Sequence, residues 1–227
     1  MSISAPRSRP QLGDEAASYI RDQITSGTLP AGAHVRPEAV AASIGISSTP
    51  AREALQALRA EGFLELAPRR GFIVALITGA DIRDMFLVQS MVAGELAARA
   101  AKNTNGELAT QLRKLHAELI AAEERHDLTG LEEWNHQFHR AINIAADSPR
   151  LAWVIQLVSR YAPRRFYASI EGWPETTIQD HSDLLDAVVS GDAEKARSEM
   201  VAHMNRAGEQ LAQHIDARLA KQDDAVV

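Results

Sequence analysis

Residues 36–76, RPEAVAASIGISSTPAREALQALRAEGFLELAPRRGFIVAL, constrain the fold of this chain more than any other stretch. Pro37 suits the first turn of a short helix that Gly45 closes. A second helix follows, with Ser48 or Thr49 as its cap and Pro50 in its first turn. Ala54, Leu55 and Leu58 form its inner face, and Gly62 stops it. FLELA and FIVAL then flank PRRG, which reads as a β-hairpin with Gly71 at the turn. Upstream, Leu12, Ala16, Tyr19, Ile20, Gln23 and Ile24 repeat at helical spacing as far as Gly27, with the TLPAGAHV turn after them. Three helices and a hairpin in this order make a winged helix-turn-helix, which sets its third helix into the major groove of DNA.

Charge is distributed in keeping with that layout. The whole chain carries −6, but residues 1–78 hold eight Arg, no Lys and seven Asp or Glu, a net of +1. The remainder carries −7, so phosphates repel it and only the N-terminal part suits a DNA surface. The first turn of the third helix should present Ser47, Ser48, Thr49 and Arg52 outward. Hydroxyls and helix-terminal N–H groups bind phosphate, and Arg52 can fork onto guanine O6 and N7. Arg69 and Arg70 sit at the wing tip beside Gly71, and Arg36 opens the second helix. Taken singly, each arginine reads as a solvated surface charge. Their restriction to the expected contact points favours DNA binding.

From residue 79 the texture changes to long helices, expected near 79–102, 107–126, 128–145, 148–170, 174–190 and 192–220. Ala and Leu dominate and aromatics are only 5%, which suits helices packed on helices. The chain therefore reads as mainly α. A flexible arm covers 1–11, the winged unit 12–77, an all-α bundle of about six helices 78–220, and a polar tail 221–227. There is no cysteine, which excludes disulfides, thiolate metal sites and a cysteine nucleophile. No apolar run is long enough to span a membrane, and the N-terminus lacks a signal-peptide core, so a cytoplasmic location is expected.

Eight histidines are present. Asn135 and His139 lie four apart on one expected helix and share a face, while His181 and His203 fall on later helices. Three imidazoles from separate helices plus one oxygen donor can hold a divalent metal, and Zn, Ni, Mn and Fe all suit such ligands. His136 reads as an ordinary residue, although on spacing alone it could take the place of Asn135. His34, His116, His126 and His214 read as ordinary surface or core residues.

SSTPAREALQALRAEGFLE followed by RRGFIV resembles the signature of GntR-type transcriptional regulators, over about residues 12–76. That family usually has Arg before the Thr-Pro pair, where this chain has Ser48. NHQFHRAI at 135–142, the 171–204 segment and GELAARAA at 94–101 resemble the FadR-like subfamily, which has an all-helical effector-binding (FCD-type) domain. The resemblance implies a metal held by Asn135, His139, His181 and His203, with Asn135 where relatives usually have Asp. It aligns Gln89 and Ala93 with an Arg and a Glu of relatives, where the Arg helps fix an acidic effector. Arg160, Arg164 and Arg165 are the cations placed to compensate, and a solvated stripe is an equal reading of them.

The chain is accordingly expected to be a homodimeric, ligand-responsive regulator on a palindromic operator, more a repressor than an activator and not an enzyme. Two alternatives stand beside this: a purely structural metal, and a metal-dependent hydrolase. Against the hydrolase, no base motif such as HExxH accompanies the histidines, and Glu132 and Glu133 are the nearest acids before Asn135.

Overall fold

The computed structural model describes residues 9–67, 71–161, 170 and 172–224. The chain divides at Ile77–Thr78 into two compact units.

The first unit holds α1 (Arg9–Thr25), β1 (His34–Val35), α2 (Pro37–Ile44), α3 (Ser48–Ala60), β2 (Leu64–Ala67) and β3 (Gly71–Val74). Helix α3 is the hub, packing on both α1 and α2. Ala51, Leu55 and Leu58 are fully buried at a spacing of three to four residues, so one face of α3 is spent on the core. Gly62, at φ 83°, ends it. Phe63 N–H donates to the Leu58 carbonyl and Gly62 N–H to that of Arg59, closing a Schellman motif whose two apolar members are both buried. Arg21 of α1 ties down this corner by pairing with Glu61 and lying over the Phe63 ring, 5.6 Å from its centre.

Three local expectations change. The cap of α3 is Ser47, not Ser48 or Thr49, and its side chain makes no capping hydrogen bond. Helix α1 starts at Arg9, so the end of the expected arm is helical, and residues 1–8 lie outside the described residues. The sheet gains a strand: residues 34 and 35, at the end of the expected turn, pair with Ile73 and Phe72, giving the order β1-β3-β2. Two residues carry too little alternation to announce a strand. Gly71 is dictated by this pairing, since it sits at φ 91° and a Cβ there would lie 2.9 Å from the Val35 carbonyl oxygen.

The second unit is helical among its described residues: α4 (Gly79–Lys102), α5 (Gly106–Glu124), α6 (Leu128–Ala145), α7 (Pro149–Val158), a 3-10 turn (Ser159–Tyr161), α8 (Trp173–Val189) and α9 (Ala193–Asp224). Side-chain caps set the starts. Thr78 and Asp81 form a reciprocal capping box on α4, Asn105 accepts from Leu108 N–H on α5, and Asp127 accepts from Gly130 N–H on α6. Helices α4 and α9 run antiparallel and close together: Cβ atoms added at Gly79, Gly94 and Gly208 would collide with Asp216, Val201 and Phe86. Ala97, Ala100, Leu112, Phe138, Ile142, Leu184 and Met200 belong to the core between the helices.

The helix expected over 148–170 is cut short. It ends at Val158, and residues 162–169 lie outside the described residues. The last helix runs through Asp224, into the expected tail.

Candidate functional site

The outward side of α3 is a polar strip above an apolar base. Pro50, Ala51, Ala54, Leu55 and Leu58 are buried, while Ser47, Ser48, Thr49 and Arg52 are exposed. Because Ser47 does not cap with its side chain, the first-turn N–H groups of Ser48 and Thr49 keep their capacity to bind an anion. Arg52 is 64% exposed and its nearest acid, Glu38, stands 3.7 Å away and is equally exposed. A pair so open to water is worth little and does not withhold the guanidinium from a ligand. Arg36 is exposed at the cap of α2. Arg69 and Arg70, in the connection from β2 to β3, lie outside the described residues. Sequence reasoning missed Gln56 and Arg59, which are exposed four and seven residues after Arg52 and so share its face. Helical spacing from Arg52 was the signal that would have found them.

In the second unit three histidines converge from three helices. The Nε2 atom of His139 on α6 lies 3.2 Å from Nε2 of His181 on α8 and 3.2 Å from Nε2 of His203 on α9. All three ligand atoms fall within 4.8 Å of one another. His181 and His203 are buried and His139 is half-buried. His181 stacks on Phe138 with ring centres 4.3 Å apart, which fixes its plane. Burial holds His139 well below the usual imidazole range, with repulsion from His203 and His136 adding to it. Burial does the same to His181, followed by repulsion from His139, His203 and His116. At neutral pH these two rings are therefore neutral, and a cation displaces no proton from them.

The carboxylate behind His203 was not anticipated. Asp180 Oδ2 lies 3.1 Å from His203 Nδ1, and Arg206 grips both Asp180 oxygens at 2.6 and 3.0 Å. Burial alone would raise the Asp180 pKa, but the hydrogen bonds from His203 and Arg206 outweigh it and hold the carboxyl below its ordinary value. The carboxylate accepts a hydrogen bond from His203 Nδ1–H, which turns Nε2 toward the other two rings. His139 Nε2 cannot donate one proton fully to two neighbours. At least one of these two 3.2 Å contacts therefore falls short of a full hydrogen bond, which a cation held among the three nitrogens would make good. A metal about 2.0–2.1 Å from each imidazole nitrogen sets neighbouring nitrogens roughly 3.0–3.4 Å apart. The residues present fit a divalent metal.

Asn135, one turn before His139 on α6, has a buried Oδ1 with no hydrogen-bond partner, whereas His136 is exposed. His116 uses Nε2 on the Ile178 carbonyl at 3.1 Å and stands apart from the cluster. Gln89 on α4 is only 1% exposed and its Nε2 has no partner. It lies on the part of α4, between Phe86 and Gly94, that faces residues 201–208 of α9, the stretch carrying His203. Arg160 is exposed in the 3-10 turn, and Arg164 and Arg165 lie outside the described residues. Helix α7 ends at Val158, before Arg160.

An Arg52→Ala protein should bind operator DNA about 10- to 100-fold more weakly, with its fold intact and a shallower salt dependence. Fluorescence anisotropy titrations at several salt concentrations check this, and unchanged affinity would remove Arg52 from the interface.

Two family models match the chain. "Bacterial regulatory proteins, gntR family" covers residues 12–74 and the FCD domain covers 84–206. Among curated relatives, the probable D-xylose utilization operon transcriptional repressor of Paenarthrobacter nicotinovorans is 30% identical over 197 residues, 83% of this chain and 85% of that protein. The HTH-type transcriptional repressor RspR of Escherichia coli K12 is 27% identical, with 86% of each chain covered. Among solved structures, E. coli McbR/YncC superposes with a TM-score of 0.72 at 25% identity, over 89% of this chain and 98% of that one. A GntR regulator from Rhodococcus sp. RHA1 shares the fold, with a TM-score of 0.63 at 20% identity over 88% and 97% of the two chains. These relatives and domains are regulators rather than enzymes, and among the described residues no helix is long and apolar enough to cross a membrane. The chain belongs to the GntR family of bacterial DNA-binding transcriptional regulators, in the FadR-like branch whose C-terminal unit is an FCD domain.

Proposed function

We propose that this regulator is a repressor that binds a palindromic operator as a homodimer and senses a small organic acid at a divalent metal in its helical unit. The observation that carries the reading is the meeting of three imidazole nitrogens, with a buried, unpartnered Asn135 oxygen one turn before His139 on α6. Among the four donors none is a carboxylate, so a bound cation keeps its full formal charge and supplies a Lewis-acidic anchor for an anion. Gln89 offers a buried N–H donor on the same stretch of bundle. Asp180 and Arg206 orient His203 and hold its proton on Nδ1. Zn, Ni, Mn and Fe all remain compatible with nitrogen and oxygen donors.

On DNA, Arg52 and Gln56 read base edges, while Arg36, Ser47, Ser48 and Thr49 take phosphates. Arg69 and Arg70 extend the grip from the wing, beside the Gly71 that seats it. The names of two relatives as repressors support the sign of regulation. An effector shifts operator affinity only through its different affinity for the DNA-competent and DNA-incompetent arrangements.

Operator affinity measured with and without a chelator, across a panel of small carboxylic acids, tests the reading. The expected result is an acid that weakens binding only in metal-loaded protein. A chelator that lowers thermal stability while no acid changes affinity would mean a structural metal instead.

A further inference from the structure

Asp180 is a single buried carboxylate on which two neighbours draw. Its side chain is 8% exposed. Oδ2 lies 3.1 Å from His203 Nδ1 and 3.0 Å from Arg206 Nε, and Oδ1 accepts from Arg206 Nη2 at 2.6 Å. Arg206 stands one turn after His203 on α9, yet its side chain is 46% exposed. The guanidinium therefore bridges a buried acid and water. Glu199 and the exposed Asp183 attract it as well. A buried carboxylate needs positive charge beside it, and the guanidinium is the permanent charge bonded to this one.

We propose that Arg206 and a cation held by the three histidines compete for the one charge of Asp180, so that Arg206 keeps the metal loosely held and exchangeable. The inference deepens the metal reading above and rests on it. A cation on Nε2 polarises the imidazole and makes its Nδ1–H a stronger donor, so Asp180 serves the metal through His203. Two positive charges that share one carboxylate each weaken the hold of the other, and the effect is reciprocal. Orientation acts with the opposite sign, since Arg206 also steadies the carboxylate. Charge decides the balance. His203 Nδ1 still aims Oδ2 once the guanidinium is gone, and a buried carboxylate stripped of its partner then favours the cation. Loading of the cluster correspondingly loosens Arg206, an exposed positive charge on α9 that Asp183 and Glu199 already attract.

The Zn2+ affinity of metal-free full-length protein, measured by competition with a chromophoric chelator, tests this together with thermal unfolding. Arg206→Gln should bind Zn2+ about tenfold more tightly than the unsubstituted protein. The same variant should unfold at a lower temperature when metal-free. Arg206→Lys should fall between, since an ammonium cannot fork onto both oxygens. In the Asp180→Asn background the Arg206→Gln change should leave affinity within about twofold, there being no carboxylate to contest. A residue that only ordered the site would lower affinity and stability together. If Arg206→Gln does not fold, Arg206→Lys decides. Unchanged or weaker Zn2+ binding in the Arg206 variants, or an equal gain with and without Asp180, would overturn the competition and leave the metal reading standing. An unsubstituted protein that takes up no Zn2+ would overturn both.

Discussion

Purified His139→Ala protein should carry essentially no divalent metal, while the unsubstituted protein carries about one ion per chain. His139 is the hub of the cluster, since its Nε2 lies 3.2 Å from both His181 and His203, which approach from different helices. Its removal leaves two imidazoles and a neutral amide, too few donors to repay dehydration of a cation. The fold should survive, because Phe138 and Ile142 beside it keep their buried contacts. Elemental analysis after exhaustive dialysis, with circular dichroism as the control, reads the result. The Asp180→Asn variant grades the same experiment. It leaves every ligand in place but weakens the hold on the His203 proton, so metal affinity should fall about 10- to 100-fold rather than vanish. Metal content that stays level in His139→Ala would retire the site.

Gly208→Val should lower the unfolding temperature of the helical unit by about 6–12 °C, from overpacking of at least ~3 kcal/mol. A glycine inside a long helix ordinarily costs about 1 kcal/mol against alanine, so it needs a reason to be there. The reason is Phe86. A Cβ on Gly208 would stand 2.5 Å from Phe86 Cβ and 2.6 Å from its ring, on the facing turn of α4. Phe86 is 3% exposed and has nowhere to retreat, so α4 and α9 must separate. Differential scanning calorimetry measures the shift. An equal or higher transition temperature would mean the two helices are not locked at this contact. The consequence reaches the three-histidine cluster, because α9 also carries His203.

Much of the DNA-reading unit was legible without coordinates. Pro37, Gly45, Pro50 and Gly62 act through their own backbone preferences, which any context respects, so the helices of the motif could be placed by their punctuation. The apolar face of α3 followed from spacing alone. The metal candidates were legible for a different reason: imidazole chemistry is rare enough that three histidines on long helices stand out. Asp180 was not legible. An acid beside a histidine in sequence points elsewhere on a helix, and its meeting with His203 and Arg206 depends on how α8 lies against α9. The burial of the Asn135 oxygen and the exposure of His136 were likewise invisible, since adjacent positions differ only by about 100° around an axis whose orientation the sequence does not state.

Residue order by itself determined the local elements, the charge contrast between the two units and the ligand types available, because these follow from backbone preference, periodicity and side-chain chemistry within a few residues. Tertiary packing decided which of those side chains meet. The close α4–α9 contact at Gly94 and Gly208, the convergence of three Nε2 atoms and the unpartnered Asn135 oxygen all depend on distances between helices far apart in the chain. Such distances are set by the shape of the whole buried interface, which no short window of sequence contains.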